Sequence, residues 1–249
     1  MTARHNALRT RSAILWAASH PVHFLRDVVR LSLERKASAR IAALPVVELA
    51  DLSAGAREVV VALPAAESRH AWSLGAAEQL SLQVLIRARR CLYAFEIGTF
   101  NGGTTRLLAE TLPPDGRVWT LDLSSAAFDM SQAPAGFAGS EVGVAYRDSA
   151  HAYKITQLLG DSSDFDFSRY EGSADLVLVD AGKEYANGIA DTRAALSLVR
   201  PGGIVLWDDF EPYWHGFVNG ICDAMRGRRL CRLAGTALAV YEADESDAG

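Results

Sequence analysis

The sequence is short of cysteine, of uninterrupted apolar runs and, over most of its length, of positive charge. Its three cysteines, Cys91, Cys222 and Cys231, have no CxxC spacing, which argues against a disulfide framework or a zinc knuckle and for free thiols in a reducing cytoplasm. Arg11, Arg26 and Arg30 cut the most apolar stretch, so nothing approaches the roughly 18 to 20 apolar residues a membrane helix needs. The apolar patch from Ile14 to Ala18 runs into Ser19, His20 and Pro21 without a small-residue cleavage site, so no secretory signal is read there and a cytoplasmic location is expected. Outside residues 1–40 the formal charge is −11. A nucleic-acid substrate is therefore not expected, because a backbone-binding protein needs a basic face over its site. The chain also lacks internal repeats and low-complexity tracts.

What is present is enough apolar material for a full core: 249 residues, 49% hydrophobic and 22% charged, the range of one α/β domain with an appendage. Residues 1–40 hold eight basic side chains against Asp27 and Glu34, a net +6. Residues 12–44 carry apolar side chains at helical spacing, with Pro21 able to open a helix. Three uses fit this segment: a helical cap or dimerisation arm, a membrane-surface helix, or a basic tail. The first is preferred, so a homo-oligomer is expected and membrane contact is not favoured. Between Pro45 and Pro64 the pattern weakens into a connector. The expected division is residues 1–70 as helical extension and connector, and 71–249 as the main domain.

From about Ala71 strands alternate with helices, the pattern of βαβ units and a parallel sheet. A helix over 75–90 leads to strands at 91–95, 117–121, 154–159, 176–179 and 204–207, the last preceded by a Pro201-Gly202-Gly203 turn. Residues 230–241 read as a closing hairpin. The expected fold is a doubly wound, mostly parallel seven-stranded α/β sheet with a C-terminal antiparallel hairpin and an N-terminal helical extension.

Ligands of such sheets bind beyond the carboxyl ends of the strands. Here those positions are polar: residues 96–105 (EIGTFNGGTT) after the first strand, Asp122 after the second, Gly160-Asp161-Ser162 after the third, Asp180 after the fourth and Asp208-Asp209 after the fifth. A glycine-rich loop opening a helix lets a ligand approach backbone amide donors. An acid at the end of the second strand can accept both hydroxyls of an adenosine ribose, although a helix N-cap or turn residue would look the same. The loop is not GxGxxG and no phosphate-loop lysine follows, which disfavours a nicotinamide oxidoreductase.

These motifs, with residues 154–167 (KITQLLGDSSDFDF), 175–185 (DLVLVDAGKEY) and 198–210 (LVRPGGIVLWDDF), resemble class I S-adenosylmethionine methyltransferases over residues 71–241. The resemblance implies that Gly98, Thr99 and Gly102 line the methionine part of the cofactor. It also implies that Asp122 holds the ribose, that Asp161 and Ser162 flank the adenine, and that Glu96, Thr104 and Asp180 complete the cofactor set. The pattern resembles a bacterial group with D-x-x-H-x-Y and W-H-D-Y after the fourth and fifth strands, but Lys183 and Asp208 stand where its histidines would be. Both departures point toward the metal-dependent catechol and caffeoyl-coenzyme A O-methyltransferases. The paired aspartates also resemble sugar O-methyltransferases in which three aspartates bind magnesium. Gly182 stands where some relatives carry another acid.

A metal has support independent of the resemblance. Asp180, Asp208 and Asp209 follow adjacent strands, and carboxylates that converge repel unless a cation or protons intervene. Mg²⁺ or another hard divalent ion suits such oxygens and makes a bound hydroxyl easier to ionise. Lys183 can then take or hold the acceptor's proton if its pKa is lowered. The alternatives are Asp209 as sole catalytic base without a metal, with Lys183 merely paired to an acid, and a non-catalytic adenosyl-binding module. The aromatic run Phe210 to Phe217 is expected either to wall a small-molecule acceptor or to pack against the sheet edge, with His215 a further candidate base.

Overall fold

The computed structural model describes residues 21–62, 74–124 and 142–244. Its centre is an eight-stranded sheet of β1 (Val46–Val47), β2 (Tyr93–Ile97), β3 (Arg117–Asp122), β4 (Ile155–Leu159), β5 (Ala174–Val179), β6 (Val199–Trp207), β7 (Cys231–Leu233) and β8 (Ala239–Glu242). The spatial order is β1-β7-β8-β6-β5-β2-β3-β4. Strands β4, β3, β2, β5 and β6 run parallel, and β8 is antiparallel to both β6 and β7. This is the doubly wound class read from the sequence, with its closing antiparallel pair.

The apolar runs account for the sheet. Every residue of β5 is buried, as expected of a parallel strand covered on both faces. Alternation then sorts its side chains: Val177 and Val179 join Phe95, Ile97, Leu121 and Trp207 in one core, while Leu176 and Leu178 join Ala94, Val118, Ile204 and Leu206 in the other. Helices α2 (Ala76–Ala88) and α3 (Gly103–Thr111) supply Leu82, Leu85, Leu107 and Leu108 to the second core. The first core is covered by α1 (Pro21–Ala43), α4 (Tyr185–Leu198) and α5 (His215–Ala224).

Two details differ from the sequence reading. The sheet has eight strands because Val46 and Val47, in the expected connector, pair in parallel with Arg232 and Leu233. Two residues carry too little periodicity to read as a strand. Pro201, Gly202 and Gly203 are a kink inside β6 rather than a turn before it, and the β5–β6 register shifts there.

Helix α1 is anchored through its C-terminal part. Ala37 and Ile41 are buried, and Arg40 donates to the Asn219 carbonyl at 3.0 Å and pairs with Asp223 at 2.9 Å. Val22, Leu25, Val29 and Leu33 are exposed. Residues 1–20, including the helical pattern expected from residue 12, lie outside the described residues. No described helix is long and apolar enough to cross a membrane.

Candidate active site

Strand β2 has β3 on one side and β5 on the other, so the chain reverses its direction of progress across the sheet there and opens a crevice at the strand ends. The Gly98 amide donates to the Leu121 carbonyl and the Asp180 amide to the Ile97 carbonyl, both at 2.8 Å. The Gly160 amide donates to the Asp122 carbonyl at 3.0 Å. The ends of β2, β3, β4 and β5 are thereby joined into one rim.

The glycine loop turns from β2 into α3 through left-handed backbone at Gly98 (φ 106°), Phe100 (φ 47°) and Gly102 (φ 83°). Asp122 braces it. One carboxylate oxygen accepts the Thr99 and Phe100 amides at 2.8 and 2.6 Å, and the other accepts the Leu123 amide at 2.7 Å. Burial raises the Asp122 pKa against those three bonds. The acid assigned to the ribose thus also shapes the loop, and of its four lone pairs one, on Oδ1, is left over from these bonds. Asn101 accepts the Gly103 amide at 3.0 Å, and Thr104 lies half-buried in the first turn of α3.

Glu96 stands behind the loop rather than in the crevice. It is fully buried, and one carboxylate oxygen accepts the hydroxyls of Thr105 and Thr120, each at 2.5 Å. The Thr120 proton goes to Glu96, so the 2.6 Å contact between Thr120 and Thr99 must be donated by Thr99. Gln157 in turn donates to Thr99 at 3.0 Å and accepts the Tyr146 hydroxyl at 2.7 Å. A directed chain of hydrogen bonds therefore runs from Tyr146 to Glu96, whose other oxygen has no partner. Burial outweighs the threonine bonds and pushes Glu96 up to about 8. The Thr99 side chain belongs to this chain as well, so it reaches a cofactor only through its backbone.

Asp161 is exposed, and its bonds from the Ser163 amide, at 2.9 Å, and side chain hold its carboxyl below the usual range. Ser162 beside it is half-buried. On the other side of the crevice, ligand oxygens of Asp180, Asp208 and Asp209 lie within 4.8 Å of one another. Asp209 has φ 57°, a left-handed non-glycine position that costs on the order of 1–3 kcal/mol and is found where surrounding structure imposes it. Burial, then the charges of Asp180 and Asp209, push Asp208 up to about 8.

Lys183 enters this cluster. Its Nζ lies 2.8 Å from Asp180 Oδ1 and 3.1 Å from Asp209 Oδ2, above the ring of Phe217 at 4.8 Å. Burial opposes its charge, yet the two aspartates outweigh burial and hold its pKa above the ordinary value. The lowered pKa expected of a general base is absent here because the carboxylates face the ammonium directly.

Of the two expected uses, the structure shows packing for most of the aromatic run. Phe210 and Phe217 are buried in the core, Tyr213 is exposed, and Trp214 is half-buried and meets the Tyr213 ring edge-on at 4.8 Å. Trp214 packs against the same core, which leaves Tyr213 as the exposed aromatic of the run. His215 starts α5 with Nδ1 buried and unpartnered. The sequence reading singled out neither Gln157 nor Tyr146, nor Asp191, a fully buried carboxylate on α4. Burial pushes Asp191 up to about 6, with the nearby Ser162 hydroxyl and the Lys183 charge acting against it. The available signal was a polar residue on an otherwise apolar strand or helix face, as for Gln157 in β4.

Residues 95–210, which run from β2 past the aspartate pair, match the family model described as a methyltransferase domain. The caffeoyl-CoA O-methyltransferase 2 of Populus trichocarpa is 25% identical over 160 residues, covering 63% of this chain and 61% of that protein. The caffeoyl-CoA O-methyltransferase of Stellaria longipes is 27% identical over 154 residues, covering 60% of each. The chain spans about three-fifths of the length of these curated relatives. Among solved structures, the O-methyltransferase TomG of Streptomyces achromogenes, in complex with S-adenosylmethionine, superposes with a TM-score of 0.52 at 22% identity, covering 69% of this chain and 82% of that one. An O-methyltransferase of Bacillus cereus gives 0.50 at 21% identity, covering 77% and 86%. These two likenesses are of fold.

Proposed function

We propose that this chain, which carries a class I methyltransferase domain, transfers the methyl group of S-adenosylmethionine to a hydroxyl of a small-molecule acceptor, with a divalent cation such as Mg²⁺ held by Asp180, Asp208 and Asp209. The observation that carries the reading is the convergence of those three carboxylates within 4.8 Å across one crevice from a glycine loop braced by an acid at the end of the next strand. The names of the caffeoyl-CoA relatives support oxygen as the atom methylated.

The donor set fits such an ion: three oxygen ligands on adjacent strand ends, with like charges that need compensation. When bound, the cation would make an acceptor hydroxyl easier to ionise. The chain's own residues do the rest. The amides of the glycine loop and the one free lone pair of Asp122 bind and orient the cofactor, and Asp161 and Ser162 border its adenine. Tyr213 faces the acceptor. The acceptor oxygen bonds to the methyl carbon in line as the carbon–sulfur bond breaks, and S-adenosylhomocysteine leaves. Where a cation shares the carboxylate charge, Lys183, an ammonium between Asp180 and Asp209, would first have to release its own proton to solvent and could then take the acceptor's as the free amine. Without a cation, Asp209 takes the acceptor's proton. This second, metal-free reading is favoured by one observation, the Lys183 ammonium already lying between Asp180 and Asp209.

The test is incubation with methyl-labelled S-adenosylmethionine and panels of catechols, glycosides and polyketides, with Mg²⁺ or with a chelator. Labelled O-methyl product that requires the divalent ion is expected. Full turnover after exhaustive chelation rejects the metal and leaves Asp209 as base. Cofactor binding without turnover on any acceptor points to an adenosyl-binding module. No binding of S-adenosylmethionine in calorimetry rejects the whole reading. Association of α1 with a second copy of the chain belongs to the same proposal, because its positive charge complements the acidic remainder.

A further inference from the structure

We propose that Lys183 is a built-in competitor for the cation: its ammonium occupies the place between Asp180 and Asp209 that the ion would take, so the ion binds only by displacing it. The inference rests on the metal reading given above and adds a role for the lysine before any chemistry occurs.

The geometry is specific. Lys183 Nζ lies 2.8 Å from Asp180 Oδ1 and 3.1 Å from Asp209 Oδ2, and both carboxylates belong to the three-aspartate cluster. An ammonium at hydrogen-bond distance from two ligand oxygens satisfies lone pairs that coordination would use, and it repels a second cation at the same point. The lysine is also held from below. Phe217, fully buried, presents its ring 4.8 Å from Nζ, and its amide donates to the Lys183 carbonyl at 3.0 Å. The main chain at 183 is therefore tied to α5, and displacement is a rotation of the flexible stem alone. Two consequences follow. The metal-free protein carries three converging aspartates without needing an ion to fold, because Lys183 neutralises part of their charge. Its affinity for a divalent ion is set below that of the same carboxylates without the lysine.

The experiment is Mn²⁺ binding, followed by electron paramagnetic resonance and calorimetry without cofactor or acceptor, on the full chain and on Lys183→Met, Lys183→Gln and Lys183→Arg. Met and Gln keep much of the stem and remove the charge, so either one suffices if the other folds poorly by circular dichroism. Both are expected to bind Mn²⁺ at least tenfold more tightly than the unaltered chain, and Lys183→Arg to bind as weakly as the unaltered chain or more so. The uncharged variants should also have a lower melting temperature without metal and recover it with Mn²⁺. Binding by Lys183→Met alone, with none by the unaltered chain, also supports the competition. Equal or weaker affinity in both uncharged variants overturns it and leaves the metal reading standing. No Mn²⁺ binding by any of the four proteins overturns both.

Discussion

Gly98 lies directly beneath Asp180: a Cβ built on Gly98 would collide with the Asp180 carbonyl oxygen. The two residues end neighbouring parallel strands, and the Ile97 carbonyl accepts the Asp180 amide at 2.8 Å. The glycine loop and the acidic cluster are therefore joined through neighbouring strands, and displacing either moves both. Gly98→Ala, at φ 106°, should destabilise the fold by about 1–3 kcal/mol. It should also weaken S-adenosylmethionine binding by more than tenfold. Thermal melting and calorimetry check this, and unchanged cofactor affinity would show that the contact does not shape the site.

Glu96 provides a pH signature. Burial raises its pKa from an ordinary 4.5 to about 8, so between those values the folded state binds more protons than the unfolded one. Stability from this group is fully present below pH 4.5 and is lost as pH rises through about 8. A tenfold difference in proton affinity between the two states corresponds to about 1.4 kcal/mol, so the loss amounts to several kcal/mol. Glu96→Gln, which keeps an acceptor for Thr105 and Thr120, should flatten the fall in denaturation midpoint between pH 5 and pH 8. Parallel profiles for the two proteins would show that Glu96 titrates normally.

Much of this architecture was legible because apolar runs and strand-end acids are local features. The run from Leu176 to Val179 followed by Asp180 reads as a buried strand delivering a carboxylate, and so it folds. What escaped depends on contacts distant in sequence. The engagement of Asp122 by the Thr99 and Phe100 amides comes from a loop 22 and 23 residues away. The burial of Phe210 and Phe217 is set by how α5 packs on the sheet, and their spacing is equally compatible with a ligand wall. The protonated state of Lys183 follows from two aspartates converging on it, which spacing shows as a possibility without fixing the distance.

Asp122 should behave as a loop brace as well as a ligand. Asp122→Ala removes acceptors for three backbone amides, so S-adenosylmethionine affinity should fall at least tenfold. Hydrogen exchange at Thr99 and Phe100 should also accelerate in the cofactor-free protein. Loss of affinity with unchanged exchange would leave ribose binding as its sole role.

Asp208 separates metal chemistry from cofactor binding. Asp208→Asn removes one carboxylate of the three-aspartate cluster while keeping size, and Asp208 follows β6 whereas Asp122 ends β3. Turnover in Mg²⁺ should fall by a hundredfold or more while S-adenosylmethionine affinity changes less than threefold. Equal losses in both would place Asp208 in the cofactor site.

Truncation of α1 should have two thresholds, because the helix is two different objects along its length. From Val22 to Leu33 its apolar side chains Val22, Leu25, Val29 and Leu33 are exposed, so among the described residues this stretch adds none of them to the core. Beyond that point Ala37 and Ile41 are buried, and Arg40 pairs with Asp223 at 2.9 Å while donating to Asn219. Fully burying an isoleucine contributes about 1.5–3 kcal/mol, and the part-buried ion pair adds a smaller amount. Removing residues 1–33 should therefore leave the melting temperature within a few degrees of the full chain. It should convert a self-associated form into a monomer in light scattering, with the association of the full chain weakening as salt rises. Removing residues 1–43 should lower stability by several kcal/mol, because core surface on α5 is then uncovered. A full chain that is already monomeric at micromolar concentration would reject the docking role of the exposed stripe, and equal melting temperatures for the two truncations would reject the anchoring role of Ala37, Arg40 and Ile41.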